Sequence, residues 1–292
     1  MVLTMNSICP VCQENVCAPL GDKSWLFFEK SYQLAKCNAC RSAFTSPLPD
    51  DASLQRIYQS SFDFRWYRDH FPAKLKDCRM RLEEYKNLLG RRVLDFGGGV
   101  GYFSQVAREA GHTSVTYDPF TSSAPAEKGA WDTVVALHVL EHANDLDRMC
   151  EQFKELLAPG GRLVLAVPNF SGRGYQEQGM QWVWAQPPLI HIFHFTASGI
   201  AALLSRHGFG DIHVSYHERW DANLYCDLQH VKRFRKWDAA WGLRPFKFFP
   251  PYRRLIAYLN SRRRFRGLTH ALRDYDANST AYSELQITAV LK

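Results

Sequence analysis

The 292-residue sequence predicts an α/β protein built on an open, mostly parallel sheet, with a small cysteine-held unit ahead of it. Three observations carry this. The apolar pair Val93-Leu94 ends on Asp95 and runs into glycines at 97, 98, 99 and 101; Phe103, Val106, Ala107 and Ala110 then recur at helical spacing. Apolar runs and helical patterns alternate from 91 to 217, as in parallel strands joined by crossover helices. Near the start, Cys9-Pro-Val-Cys12 and Cys37-Asn-Ala-Cys40 form two C-x2-C pairs.

A strand that turns on glycines into a helix lets a ligand approach the backbone and the helix N-terminus. The NAD and FAD fingerprint is G-x-G-x-x-G, with an acid about 20 residues later. Here the spacing is D-x-G-x-G-x-G, with Asp95 before the first glycine. A second apolar run, 113–117, ends on Asp118, and a carboxylate at such a strand tip can accept hydrogen bonds from both ribose hydroxyls of a nucleotide-like cofactor. The glycine spacing resembles motif I of class I S-adenosylmethionine-dependent methyltransferases. Trp131-Asp132-Thr133-Val134-Val135-Ala136-Leu137-His138-Val139-Leu140-Glu141-His142 is similar to that family's fourth strand and the turn after it. Residues 156–169, with Pro159-Gly160-Gly161 and Pro168-Asn169, are similar to its next helix-to-strand corner.

The resemblance spans 93–169 and implies a Rossmann-like seven-stranded sheet. Its last strand, at 285–292, is expected to lie antiparallel beside an edge strand around Ile212–Tyr216. S-adenosylmethionine is the implied cofactor. Asp95, Gly97, Gly98, Gly99 and Gly101 form its turn, Asp118 takes the ribose, and Pro119 and Leu137 complete the set. One departure stands out: only twelve residues separate Asp118 from Trp131, so the family's third strand is short or missing. Ser122 and Ser123 are the nearest polar groups for the adenine.

Four thiolates in a tetrahedron suit zinc, and each C-x2-C turn presents two of them on one side. Cys9, Cys12, Cys37 and Cys40 therefore read as a structural zinc site, against free thiols or another soft metal. Strand-like residues at 25–28 and 32–34 allow a hairpin to join the knuckles. Gln13 and Arg41 stand where glycine often follows such a pair. A closed four-sulfur site has no open coordination position, so its role is in folding or in shaping the acceptor side. A ribbon followed by Phe44-Thr45-Ser46-Pro47-Leu48-Pro49 resembles a branch of sugar and small-molecule methyltransferases. Its sugar C-methyltransferases are longer, so a sugar acceptor is not carried over. The expected domains are a ribbon at 1–50, a helical connector at 51–90 ending at Gly90, and a cofactor-binding domain at 91–292 with an insertion at 218–280.

Methyl transfer to oxygen or carbon needs a base, and histidine titrates in the right range. His138, Glu141 and His142 follow the fourth strand, and His191 and His194 follow the fifth strand and its loop. Ligands in open α/β sheets bind beyond the strands' carboxyl ends. His142 is the expected base, with His191 or His194 assisting and Glu141 orienting. The same residues resemble the magnesium site of small-RNA 2′-O-methyltransferases, although magnesium prefers oxygen ligands and His138 occupies a position that would favour a carboxylate.

The formal charge is +7, yet residues 230–273 hold thirteen Lys/Arg and one acid, Asp238, so the rest of the chain is net acidic. That basic, aromatic insertion reads as a lid, a contact with an anionic membrane surface, a grip on a phosphorylated or carrier-linked acceptor, or a nucleic-acid surface. The loop at 172–188, with Trp182 and Trp184, is expected to wall the acceptor. No apolar run reaches a membrane-spanning length and no signal-peptide pattern opens the chain. Cytoplasmic placement is expected, with the inner membrane surface as the alternative. The expected activity is methylation of a hydroxyl or carbon on a small, anionic, carrier-linked or sugar-like molecule. An RNA methyltransferase and a non-catalytic scaffold are the rival readings.

Overall fold

The computed structural model describes residues 8–61, 71–118, 126–179, 182, 189–217 and 282–292. The basic insertion, Pro119, Ser122, Ser123 and Trp184 lie outside the described residues.

The main sheet has six strands among the described residues. Strand β4 (Arg92–Phe96) lies between β5 (Thr113–Tyr117) and β6 (Trp131–Leu137), parallel to both. Strand β7 (Leu157–Pro168) continues the parallel run beside β6. Strand β10 (Glu284–Leu291) then inserts antiparallel between β7 and β9 (Phe209–His217). The order is β5-β4-β6-β7-β10-β9. Among the described residues this is the expected sheet short of one strand; the place of the family's third strand, in the short stretch after Asp118, falls largely outside them. The antiparallel last strand lies where it is expected.

Strands buried on both faces read as continuous apolar runs. Val93 and Leu94 in β4, Val134 and Val135 in β6, and Leu163 to Val167 in β7 are fully buried. Helix α3 (Tyr102–Glu109) turns Phe103, Val106 and Ala107 inward; Ala110 is its exposed C-cap. Helix α4 (Leu146–Leu156) is capped by Asp145, whose side chain accepts a hydrogen bond from Arg148 N. Its Phe153 meets Phe96 edge-on at 5.1 Å. Phe96 in turn packs against Tyr117, so this aromatic stack backs the glycine turn.

Among the described residues, the expected helical connector holds α1 (Asp51–Ser61) and α2 (Phe71–Tyr85). The second ends five residues before Gly90, because the N–H groups of Leu88 and Leu89 both turn back to Tyr85 O and Leu88 and Leu89 pack with Leu75 and Tyr85.

The ribbon is a second sheet. Strands β1 (Cys17–Phe27) and β2 (Lys30–Cys37) form the expected hairpin, and β3 (Ala43–Ser46) pairs with β2. The outer partner of β3 is β8 (Phe193–His194), from the far end of the chain. Val11, Cys37, Cys40 and Phe44 share one apolar core with Leu94, Leu165 and Phe195, so the ribbon and the main domain are packed as one body. No described helix is long and apolar enough to cross a membrane. Truncating Phe153 to alanine should cost about 3–5 kcal/mol of stability by opening a cavity behind the glycine turn; urea unfolding measures it, and a loss below ~1 kcal/mol would contradict the packing described.

Candidate functional site

The glycine turn is built around a buried carboxylate. Asp95, only 2% exposed, accepts hydrogen bonds through Oδ2 from the backbone N–H and the hydroxyl of Ser104, both at 3.2 Å. Burial pushes its carboxyl up to about 6, against the downward pull of the Ser104 and Thr116 hydrogen bonds. Asp95 therefore ties the tip of β4 to the first turn of α3, beneath the glycines. Gly98 lies so close that a Cβ there would be 2.2 Å from Asp95 Oδ2. Gly99 has a left-handed φ of +54°, and a Cβ there would meet nothing within 4 Å, so the turn is open on that side. Asp118, at the tip of β5, is nearly buried and accepts the Gly99 N–H at 3.1 Å through Oδ2. An open glycine face beside a strand-tip carboxylate fits the methionine and ribose parts of S-adenosylmethionine. Leu137 ends the neighbouring strand β6.

One strand further along, the chain leaves β6 through His138, which takes a left-handed φ of +56°, and enters a single 3-10 turn, Leu140–His142. Glu141 is completely buried. Its Oε1 meets His138 Nδ1 at 3.1 Å, and its Oε2 has no hydrogen-bond partner among the described residues. His142 is half-buried, and its Nδ1 lies 2.6 Å from Ile190 O. A carbonyl only accepts, so Nδ1 carries a proton, and in the neutral ring Nε2 is the atom with the lone pair. The ring of His191 stands edge-on to His142, with centroids 4.8 Å apart. Glu141, His142 and His191 bring one ligand atom each within 4.8 Å of one another.

The remaining two predicted histidines serve elsewhere. His138 Nε2 lies 3.0 Å from Glu284 Oε2 while its Nδ1 faces Glu141, so both ring nitrogens donate to carboxylates. Burial alone would lower its pKa; the hydrogen bonds and charges of Glu141 and Glu284 outweigh that and hold it at about 9. It is an imidazolium clamp at neutral pH and a poor base. His194 is buried against Phe170, and burial pushes it down to about 4. It is not one of the residues whose ligand atoms converge with Glu141. Trp182, expected in an acceptor wall, is 3% exposed and packs with Phe170 and Tyr175 as core.

Sequence reading missed the residues that hold His138. Arg81 of α2 is buried and places Nη1 and Nη2 at 3.1 and 2.7 Å from the two oxygens of Glu284, with Nε on Asp77 at 2.9 Å. The one signal was Glu284 opening an otherwise uncharged last strand; Arg81, one turn before Tyr85, lies in a helix rich in charged residues.

In the ribbon, Cys9 Sγ and Cys40 Sγ are 3.9 Å apart, and Cys12 Sγ and Cys37 Sγ 3.6 Å. Sulfurs held at ~2.3 Å in a tetrahedron are about 3.8 Å apart. The quartet is compatible with structural zinc. Gln13 and Arg41 adopt φ of +65° and +64°, and their N–H groups close on Cys9 O and Cys37 O, so each takes the glycine-like conformation of a knuckle. Cys17, opposite Cys37 in the hairpin, is a further buried thiol beside the quartet.

A parallel sheet in this order, with a glycine turn and a second acid at adjacent strand tips, defines a methyltransferase-type α/β domain. The chain belongs to the methyltransferase-domain family, whose model matches residues 67–214, just over half of its length. It is 28% identical over 166 residues to a tRNA U34 carboxymethyltransferase of Idiomarina loihiensis, covering 45% of this chain and 49% of that protein. It is 25% identical over 150 residues to a ubiquinone biosynthesis O-methyltransferase of Pseudomonas fluorescens, covering 43% and 63%. The aligned part is thus less than two thirds of either relative. Among solved structures, a SAM-dependent methyltransferase from Archaeoglobus fulgidus is similar at 15% identity and TM-score 0.47, over 78% of this chain and all of that one.

Because the folded pKa of His138 is raised from 6.5 to about 9, its stabilisation is complete below pH ~6.5 and is lost as pH rises through about 9. Urea titrations should show a loss on the order of 2 kcal/mol across that window. His138→Gln should be less stable at pH 6.5 and lack this component; an identical pH slope in both proteins would rule out the imidazolium.

Proposed function

We propose that the chain is an S-adenosylmethionine-dependent methyltransferase that acts on a hydroxyl, or an acidic carbon, of a small biosynthetic acceptor, with His142 as general base. The observation that carries this is the tautomer of His142: Ile190 O holds the proton on Nδ1 and leaves Nε2 to accept another, beyond the strand tips that flank the glycine turn. The cofactor, when bound, supplies a methyl group on a positively charged sulfur, which is already a good leaving group. The protein's task is therefore alignment and proton removal. Gly97 to Gly101 and Asp118 hold the donor side. His142 Nε2 takes the acceptor proton, and the buried carboxylate of Glu141 stabilises the resulting imidazolium. His138, fixed by Glu284 and Arg81, keeps Glu141 in place. The thirteen basic residues of 230–273 favour an anionic acceptor, phosphorylated or carrier-linked, and an oxygen acceptor agrees with the ubiquinone relative's name. The tRNA relative's name keeps nucleic acid as the rival acceptor.

A second reading has its own support. Glu141 Oε2 is buried without a partner among the described residues, and two imidazoles converge on the same carboxylate. Two nitrogens and one oxygen suit a first-row transition-metal dication better than magnesium. There, Glu141, His142 and His191 would hold a cation that draws the acceptor oxygen in and lowers its pKa.

Calorimetry with S-adenosylmethionine tests the donor side: Asp118→Ala should weaken binding at least tenfold, and absence of binding by the wild type would sink the enzyme reading. With an acceptor found by labelled-methyl transfer, His142→Ala should lower kcat by about 10²–10⁴ while leaving cofactor affinity intact; full activity would remove His142 from its role. Activity that vanishes on chelation and returns with Mn2+, but not with one equivalent of Zn2+, would select the metal reading.

A further inference from the structure

We infer that the cysteine ribbon is a positioning device for the candidate site: its third strand holds the 190–196 segment, and with it His191, against Glu141 and His142. This rests on the reading of those three residues as the acceptor-side site.

The connection can be followed bond by bond. The second knuckle closes through Arg41 N to Cys37 O and Cys37 N to Ser42 O, and β3 begins at the next residue, Ala43. One edge of β3 pairs with the ribbon hairpin. Its other edge pairs with the far segment, Ala43 opposite His194 and Phe44 opposite Phe193. Thr45 N donates to Ile192 O at 2.9 Å. The N–H of the same Ile192 donates to Glu141 O at 2.8 Å, and Ile190 O takes the proton of His142 Nδ1. His191 therefore sits between two residues whose backbones are bonded to Glu141 and His142, with Ile192 bonded to the ribbon as well.

A weld fixes the far end. Thr196 and Ser198 hydroxyls both donate to Cys40 O, at 2.6 and 3.1 Å, and Thr196 N donates to Ser42 Oγ at 3.2 Å. Ser42 and Thr45 are fully buried. A Cβ on Gly199 would lie 2.1 Å from Ser42 Oγ, so helix α5 (Ala197–Arg206) is pressed directly onto the knuckle. Strand β8 is only two residues long, and β3 is its one strand partner in the described sheet. So short a strand has little stability of its own. Its conformation is borrowed from a sheet whose other end is anchored by four thiolates.

Zinc would thus act on the site from a distance, without touching acceptor or cofactor. Ser42 is the positioning residue that reports this, because Ser42→Ala keeps all four cysteines. Hydrogen-exchange mass spectrometry on the full chain should show at least tenfold faster exchange in 190–196, in Ser42→Ala and after chelation of the wild type. Residues 92–104 should keep their protection, and affinity for S-adenosylmethionine should change less than twofold. The ring 15N signals of His142 and His191 should shift while those of His112 stay put. Unchanged exchange in 190–196 under both treatments would overturn the inference, as would an equal rise in 92–104, which would make the ribbon a general stabiliser. If Ser42→Ala does not fold, Ser198→Ala removes one bond of the weld and should show the same local pattern more weakly. Loss of cofactor binding in the wild type would count against the proposed enzyme; it would leave this positional claim standing.

Discussion

A fully buried carboxylate is the constraint around which this molecule is arranged. Glu141 is fully enclosed, and an isolated ionised carboxylate in such a place costs several kcal/mol. Its charge is balanced from one side by His138, which is held protonated because Glu284 reaches its other nitrogen. Glu284 is in turn gripped by Arg81. The series Arg81, Glu284, His138, Glu141 alternates in sign across the connector helix, the last strand and the turn after β6. Its open end is Glu141 Oε2, which has no hydrogen-bond partner among the described residues.

The sheet order makes that series geometrically available. Parallel strands deliver their tips to one edge, so Asp95, Asp118, His138 and Asn169 all emerge on the same side of the molecule. An antiparallel strand does the opposite: β10 begins where its neighbours end, and its first residue, Glu284, pairs with Pro168 at the end of β7. A residue near the end of the chain thereby reaches the same edge as the glycine turn. The ribbon closes the cluster through β3 and β8. Donor-side and acceptor-side groups are thus fixed by separate devices, local hydrogen bonds for the glycine turn and long-range strand pairing for the histidines.

That division explains what could be read in the sequence. The glycine turn, Asp118 and the β6 and β7 segments are contiguous, and their periodicity alone locates them within a residue or two. The knuckles announce themselves by spacing, and the left-handed Gln13 and Arg41 show that knuckle geometry does not require glycine. The roles of the histidines were not legible in the same way. His138 and His142 stand four residues apart in similar surroundings; one is a cation and the other a candidate base. The difference comes from Glu284 and Ile190, which are 146 and 48 residues away in the chain. The pairing of Phe44 with Phe193 spans a still longer separation, and neither segment carries a local signal for it. The length of α2 was overestimated for a related reason, since Leu88 and Leu89 keep the apolar spacing of a helix while packing from a turn.

The central claim is that backbone and carboxylate partners give two neighbouring histidines different hydrogen-bonding roles. Two-dimensional 15N–1H correlation of the imidazole rings in the full chain at pH 7.5 tests it directly. The expected result is His138 with both nitrogens protonated and His142 with a proton on Nδ1. A neutral His138, or a neutral His142 carrying its proton on Nε2, would contradict it.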